Sequence, residues 1–120
     1  MDKWQSLQSF WESFSLPAYD ENSVPDDAAM PYITYNAEIA SFEEKLLLSA
    51  SIWYHSLSWA EISQKADQIA QALSGYHIVK IDNGYLFMTQ GNPFAQRLKD
   101  ENDSVKRIYL NVTAEFFSAY

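Results

Sequence analysis

The sequence predicts an α+β fold: a mainly antiparallel sheet packed by two helices, in the order α-β-β-α-β-β-β, with a long acidic, proline-containing loop after helix 1. Three observations carry this reading. Two stretches repeat apolar residues at helical spacing. Several others alternate apolar and polar residues with period two. Turn residues separate them, Gly75 and Asn83-Gly84 most clearly.

Trp4, Leu7, Phe10, Trp11 and Phe14 place one apolar stripe on an N-terminal helix over 2–14, which Pro17 prevents from continuing. Residues 16–31 follow, "LPAYDENSVPDDAAMP", with three prolines, four carboxylates and no lysine or arginine. No helical or strand period runs through them, so they are expected to form an extended acidic arm or loop. "YITYNAEI" (32–39) has the β-branched and aromatic content of a strand. "KLLLSASIWYHS" (45–56) is a longer one, with Leu46, Leu48, Ala50, Ile52 and Tyr54 on one face, and a hairpin over 38–44 is the simplest link between the two.

The second helix is expected over 58–74. Ser58 and Glu61 suggest a capping box, Trp59, Ile62, Ala66, Ile69, Ala70 and Leu73 form its buried stripe, and Gly75 supplies a left-handed stop. "HIVKIDNGYLFMT" (77–89) reads as a hairpin with Asn83-Gly84 at the centre of a type I′ turn. Residues 90–104 read as polar and turn-rich. A last strand then alternates Ile108, Leu110, Val112, Ala114 and Phe116 with polar neighbours. Strands this long leave edges that a neighbouring subunit often covers.

A chain of 120 residues, 48% of them hydrophobic, supports one domain (1–120) with a substantial core. Without cysteine, disulfides, thiol catalysis and cysteine-ligated zinc are excluded. No apolar run is long enough to span a membrane, and the first residues do not read as a secretory signal, so an intracellular, soluble protein is expected. The net charge of −8 is uneven: residues 1–44 carry nine acids and one base, whereas 45–120 are balanced. Sequence-specific nucleic-acid binding is disfavoured by this lack of surplus lysine and arginine.

The sequence holds no constellation for catalysis. A calcium loop starting at Asp20 would want glycine where Pro25 stands. His55 and His77, the only histidines, lie in separate strands without a spaced third ligand. No nucleophile elbow, phosphate loop or dinucleotide fingerprint occurs. The reading is of a non-enzyme with no catalytic residues, no metal and no cofactor. Trp53, Tyr54 and Trp59, around one strand–helix junction, read first as core and second as a partner-facing aromatic patch.

Three stretches carry a resemblance: "LPAYDENSVPDDAAMPYITY", "SASIWYHSLSWAEISQKADQIAQAL" and "GNPFAQRLKDENDSVKRIYLNVTAEF". Together they resemble the tail terminator, or tail-completion and head–tail joining, proteins of long-tailed bacteriophages and prophages. The likeness runs over residues 16–120 and is densest at 16–35, 50–65 and 91–113. The family pattern more usually has arginine where His55 and Lys106 stand.

The resemblance implies a virion assembly protein of the tail and neck region, made in the bacterial cytoplasm. It would form a ring, typically a hexamer, on the tail tube, halt tube polymerisation and meet the head connector. Its partners would be its own copies, the tail tube protein and the connector or stopper protein. Interface candidates on this reading are Tyr19, Asp20, Asp26, Asp27, Tyr32, Trp53, Phe94, Gln96, Arg97, Arg107 and Tyr109. The acidic arm would cross a neighbouring subunit and meet bases such as Arg97, Lys99, Lys106 and Arg107, or else fold back on its own. A non-viral acidic module that binds a basic partner is the alternative function class.

Overall fold

The first helix, α1 (Lys3–Glu12), begins at a capping box. The Asp2 carboxylate accepts the Gln5 N–H at 2.8 Å, and the Gln5 side chain accepts the Asp2 N–H at 3.2 Å. These details come from a computed structural model that describes residues 2–36 and 46–118. Leu7, Phe10 and Trp11 are buried, and Phe14, just past the helix, is buried with them. Trp4, expected in the same stripe, is 50% exposed. The first turn of α1 lies beside the tight turn near Asp82, where Trp4 rims a hollow shared with Ile81 and Phe116 and the Lys3 ammonium lies 4.2 Å from its ring.

The remaining elements are β1 (Ala18–Asp20), β2 (Tyr32–Tyr35), β3 (Leu46–His55), α2 (Ala60–Ala72), β4 (His77–Ile81), β5 (Gly84–Lys99) and β6 (Val105–Ser118). They form a six-stranded sheet in the order β1-β2-β3-β6-β5-β4, antiparallel throughout except for the parallel β1–β2 pair. The predicted α+β architecture and element order hold, with one strand added. That strand, β1, lies in the stretch expected to lack regular structure. Two bonds tie it to its own subunit: Ile33 N–H to Pro17 O at 2.8 Å and Glu21 N–H to Tyr35 O at 2.9 Å. The hairpin expected over 38–44 lies outside the described residues.

Both helices pack on one face of the sheet. Ile33, Leu48, Ala50, Ile52, Ile108, Leu110, Val112, Leu86 and Met88 meet Leu7, Trp11, Ile62, Ile69 and Leu73 in a single core. Burying each large side chain stabilises by about 1.5–3 kcal/mol, so the period-two pattern of β3 and β6 fixes which face is inward. Among the described residues, the opposite face carries no helix.

Three local readings are corrected. Trp59, not Ser58, is the N-cap of α2; the Ser58 hydroxyl accepts the Ala60 N–H at 3.0 Å, while its own N–H bonds Ser56, so Glu61 closes no capping box. The β4–β5 turn centres on Asp82-Asn83, and only Asn83 (φ 66°) has positive φ, so it is not type I′. Glycine at position 84 answers to packing instead: a Cβ there would lie 2.3 Å from the Phe117 carbonyl oxygen and 2.7 Å from the Phe116 ring. Third, residues 90–99 are not a turn-rich connection. β5 continues to Lys99, interrupted by a bulge in which Gly91–Phe94 oppose Asn111 alone.

Candidate interaction surface

Register places Tyr19, Tyr32, Trp53, Arg107, Tyr109 and Gln96 on the helix-free face. Tyr32 is opposite Trp53, which is opposite Arg107; Tyr19, Thr34, Ser51, Tyr109 and Gln96 form the adjoining row. The aromatic rings form a chain. Tyr19 meets Tyr32 edge-on at 5.7 Å between centroids, and Tyr32 meets Trp53 at 6.4 Å. The Arg107 guanidinium lies 4.6 Å from the Trp53 ring and 5.9 Å from Tyr109, and its Nε donates to the Ser51 hydroxyl at 3.0 Å. Trp53 Nε1 donates to Thr34 Oγ1 at 3.0 Å. Arg107 is thus engaged by its own subunit.

Trp53 is therefore a half-buried member of the open face, whereas Tyr54 is core and Trp59 is half-buried on the helix side. A second aromatic group, not singled out from the sequence, lies toward the far end of the same face. Tyr76 stacks on Phe87 at 4.8 Å, and Phe87 meets Phe117 at 6.0 Å, with Ile78 and Tyr85 exposed nearby. Tyr85–Met88 of β5 are apolar on both faces, so no polar–apolar alternation marked this group in the sequence.

The other candidates lie elsewhere. Arg97 points to the helix side, where it donates to Ser63 Oγ at 3.1 Å and lies 5.0 Å from the Trp59 ring. With Lys99, Lys106, Asp100 and Asp103 it lines a cleft of about 290 Å³. Lys106 is only 9% exposed, lies 5.5 Å from Trp59 and donates to the Asp103 carbonyl, so it is a poor partner for an acid from outside. Phe94 is half-buried against the core. Asp20 accepts the Asn22 N–H at 2.9 Å at the head of the acidic loop, in which Asp26 and Asp27 are exposed.

The sheet also holds two raised phenol pKa values. Burial pushes Tyr35 above the usual 10.0, helped by Asp20 and Glu12, and burial pushes Tyr54 up, helped by Glu61. Tyr35 donates to Gln8 of α1. A hollow of about 350 Å³ between α1 and β4 holds His77 near Ser6 and Ser13, but both hydroxyls donate to backbone carbonyls and the imidazole packs on Phe10. Among the described residues, no three of His, Asp and Glu converge as metal ligands, and no helix is long and apolar enough to cross a membrane.

No family model and no curated protein matches the chain. Among solved structures, it matches a chain from the virion of a native gene transfer agent (GTA) particle. The TM-score is 0.64 at 16% identity, over 94% of this chain and 90% of that one. At this identity the likeness is one of fold, and it extends across nearly the whole of both chains.

Proposed function

We propose that this chain is a non-enzymatic virion assembly protein, a tail terminator that forms a ring on the tail tube, stops its polymerisation and joins it to the head connector. The observation that carries the proposal is the shared fold with a virion chain, end to end, in a protein whose sequence resembles the tail-completion family. The helix-free sheet face supports it. That face presents two aromatic groups on a rigid surface, which suits contact with other proteins better than it suits small-molecule chemistry.

A gene deletion and a reconstitution together test ring, tube and connector. Deleting the gene in a phage or prophage background is expected to give over-long tails and heads that fail to join, seen by negative-stain electron microscopy. Adding the purified protein to growing tail tubes should cap them with a ring. Tails of normal length that still join heads would refute the role. Binding to a basic host protein without any effect on tails would favour the acidic-module alternative.

A further inference from the structure

Four large apolar side chains that stay 42–56% exposed lie together at one end of the helix-free face: Tyr76, Ile78, Tyr85 and Phe117. Register fixes their layout. Val79, Leu86, Met88 and Ala114 are core, so their neighbours along each strand point the other way. Lys80, Tyr85 and Phe117 form one row across β4, β5 and β6, and Ile78, Phe87 and Glu115 form the next. Tyr76 extends this block by stacking on Phe87 at 4.8 Å.

Aromatic side chains present about 150–250 Å² each, so this half-exposed set offers about 400 Å² of apolar surface, near the upper range that a monomer leaves uncovered. With the stems of Lys80 and Glu115 one copy contributes roughly 600 Å², and two copies face to face bury about 1,200 Å², the lower end of specific interfaces.

Charge points to a second copy as the occupant. The chain carries −8, so two copies repel through most of their surfaces. The acidic loop leaves β1, at the far edge of the six-stranded sheet from β4. The block itself holds one cation and one anion, Lys80 and Glu115, at diagonal corners. Strand spacing of about 4.8 Å and a rise of about 3.4 Å per residue make the block roughly 10 by 7 Å. A copy turned over about the other diagonal, from Ile78 to Phe117, sets each charged corner within about 4 Å of its opposite in projection. The strands then cross steeply, as in orthogonally packed sheets.

We propose that this block is an isologous contact between two copies, formed sheet against sheet, with Lys80 of each copy meeting Glu115 of the other. A two-fold contact closes on itself and admits no third copy. It therefore describes a paired form of the free chain, distinct from ring growth, and does not rest on the terminator reading.

Sedimentation equilibrium of the purified chain should show monomer and dimer in exchange. Lys80→Glu and Glu115→Lys, each verified as folded by circular dichroism, should each weaken the dimer at least about tenfold. Mixing the two variants should restore association as a mixed dimer, since one copy then carries two acids at the corners and the other two bases. The chain has no cysteine, so Ile78→Cys, near the axis, should link to itself through a short bismaleimide, whereas Asp26→Cys in the acidic loop should not. A chain that stays monomeric at its solubility limit, or a dimer indifferent to both charge reversals, would overturn the proposal. Self-linking of Asp26→Cys without that of Ile78→Cys would overturn it as well. A chain monomeric when free that still caps tail tubes overturns this contact and leaves the terminator role intact. A charge-dependent dimer with no effect on tails supports the contact and overturns that role.

Discussion

Arg107 is held by three groups of its own subunit, so its removal should be felt in folding before it is felt in assembly. Arg107→Ala removes a stack on Trp53 at 4.6 Å, worth about 0.5–1 kcal/mol at a half-exposed site, while the 5.9 Å approach to Tyr109 adds little. It also removes the donor to the hydroxyl of Ser51, a residue 3% exposed, at a cost of roughly 1–1.5 kcal/mol. The total is about 2 kcal/mol. Unfolding entropy of about 2.1 cal/mol/K per residue gives ~0.25 kcal/mol/K for this chain, so Tm should fall by about 8 °C. Arg107→Lys keeps the charge but loses the planar stack and the Nε donor, and should recover less than half of that. Calorimetry of Arg107→Ala, Trp53→Ala and the double variant should give a coupling of about 0.5–1 kcal/mol. A Tm change below about 2 °C for Arg107→Ala, or no coupling, would refute the reasoning and return Arg107 to the pool of groups free for a partner.

Gly84→Ala should destabilise by about 1–3 kcal/mol, because the added methyl meets the Phe117 carbonyl, which is backbone and cannot swing away; denaturant titration with an unchanged m-value checks it. The two raised tyrosines give an alkaline limit. The folded chain holds those protons more tightly than the unfolded one, so stability is complete below pH 10.0 and declines as pH rises through the folded values. Melting curves from pH 8 to 12 should show this decline, and Tyr54→Phe should flatten it; an unchanged slope would refute the assignment.

Much of this arrangement was legible because burial enforces period. β3 and β6 each have one face in the core, so Leu48, Ala50, Ile52 and Ile108, Leu110, Val112 announced both the strands and their inward side. The stripe of α2 was equally plain at Ile62, Ala66, Ile69 and Leu73. What stayed hidden was set by tertiary contact. β1 is too short for a pattern and exists because β2 and Gln8 bind its backbone. The outer half of β5 sits beyond β4 and mixes Phe94, Ala95 and Leu98 with polar neighbours in no period-two pattern, so nothing in "GNPFAQRLK" signals a strand. For the site, aromatic and charged candidates could be chosen from sequence, but only register could sort Arg107 onto the open face and Arg97 onto the helix side.

The bulge in β5 uncouples strand length from register. Before it, Leu86 and Met88 face the helices; after it, Ala95, Arg97 and Lys99 do, because four residues stand against one. Facing follows the cross-strand partner, so a residue removed from or added to 91–94 leaves Arg97 on the helix side as long as it stays opposite Ile108. Only a slip of the pairing by one residue would exchange Arg97 with Gln96 or Leu98 across the sheet. Related chains should therefore vary in length at this point more readily than in the paired stretches on either side. Gly91 narrows the choice further, since a Cβ there would lie 2.8 Å from that of Asn111.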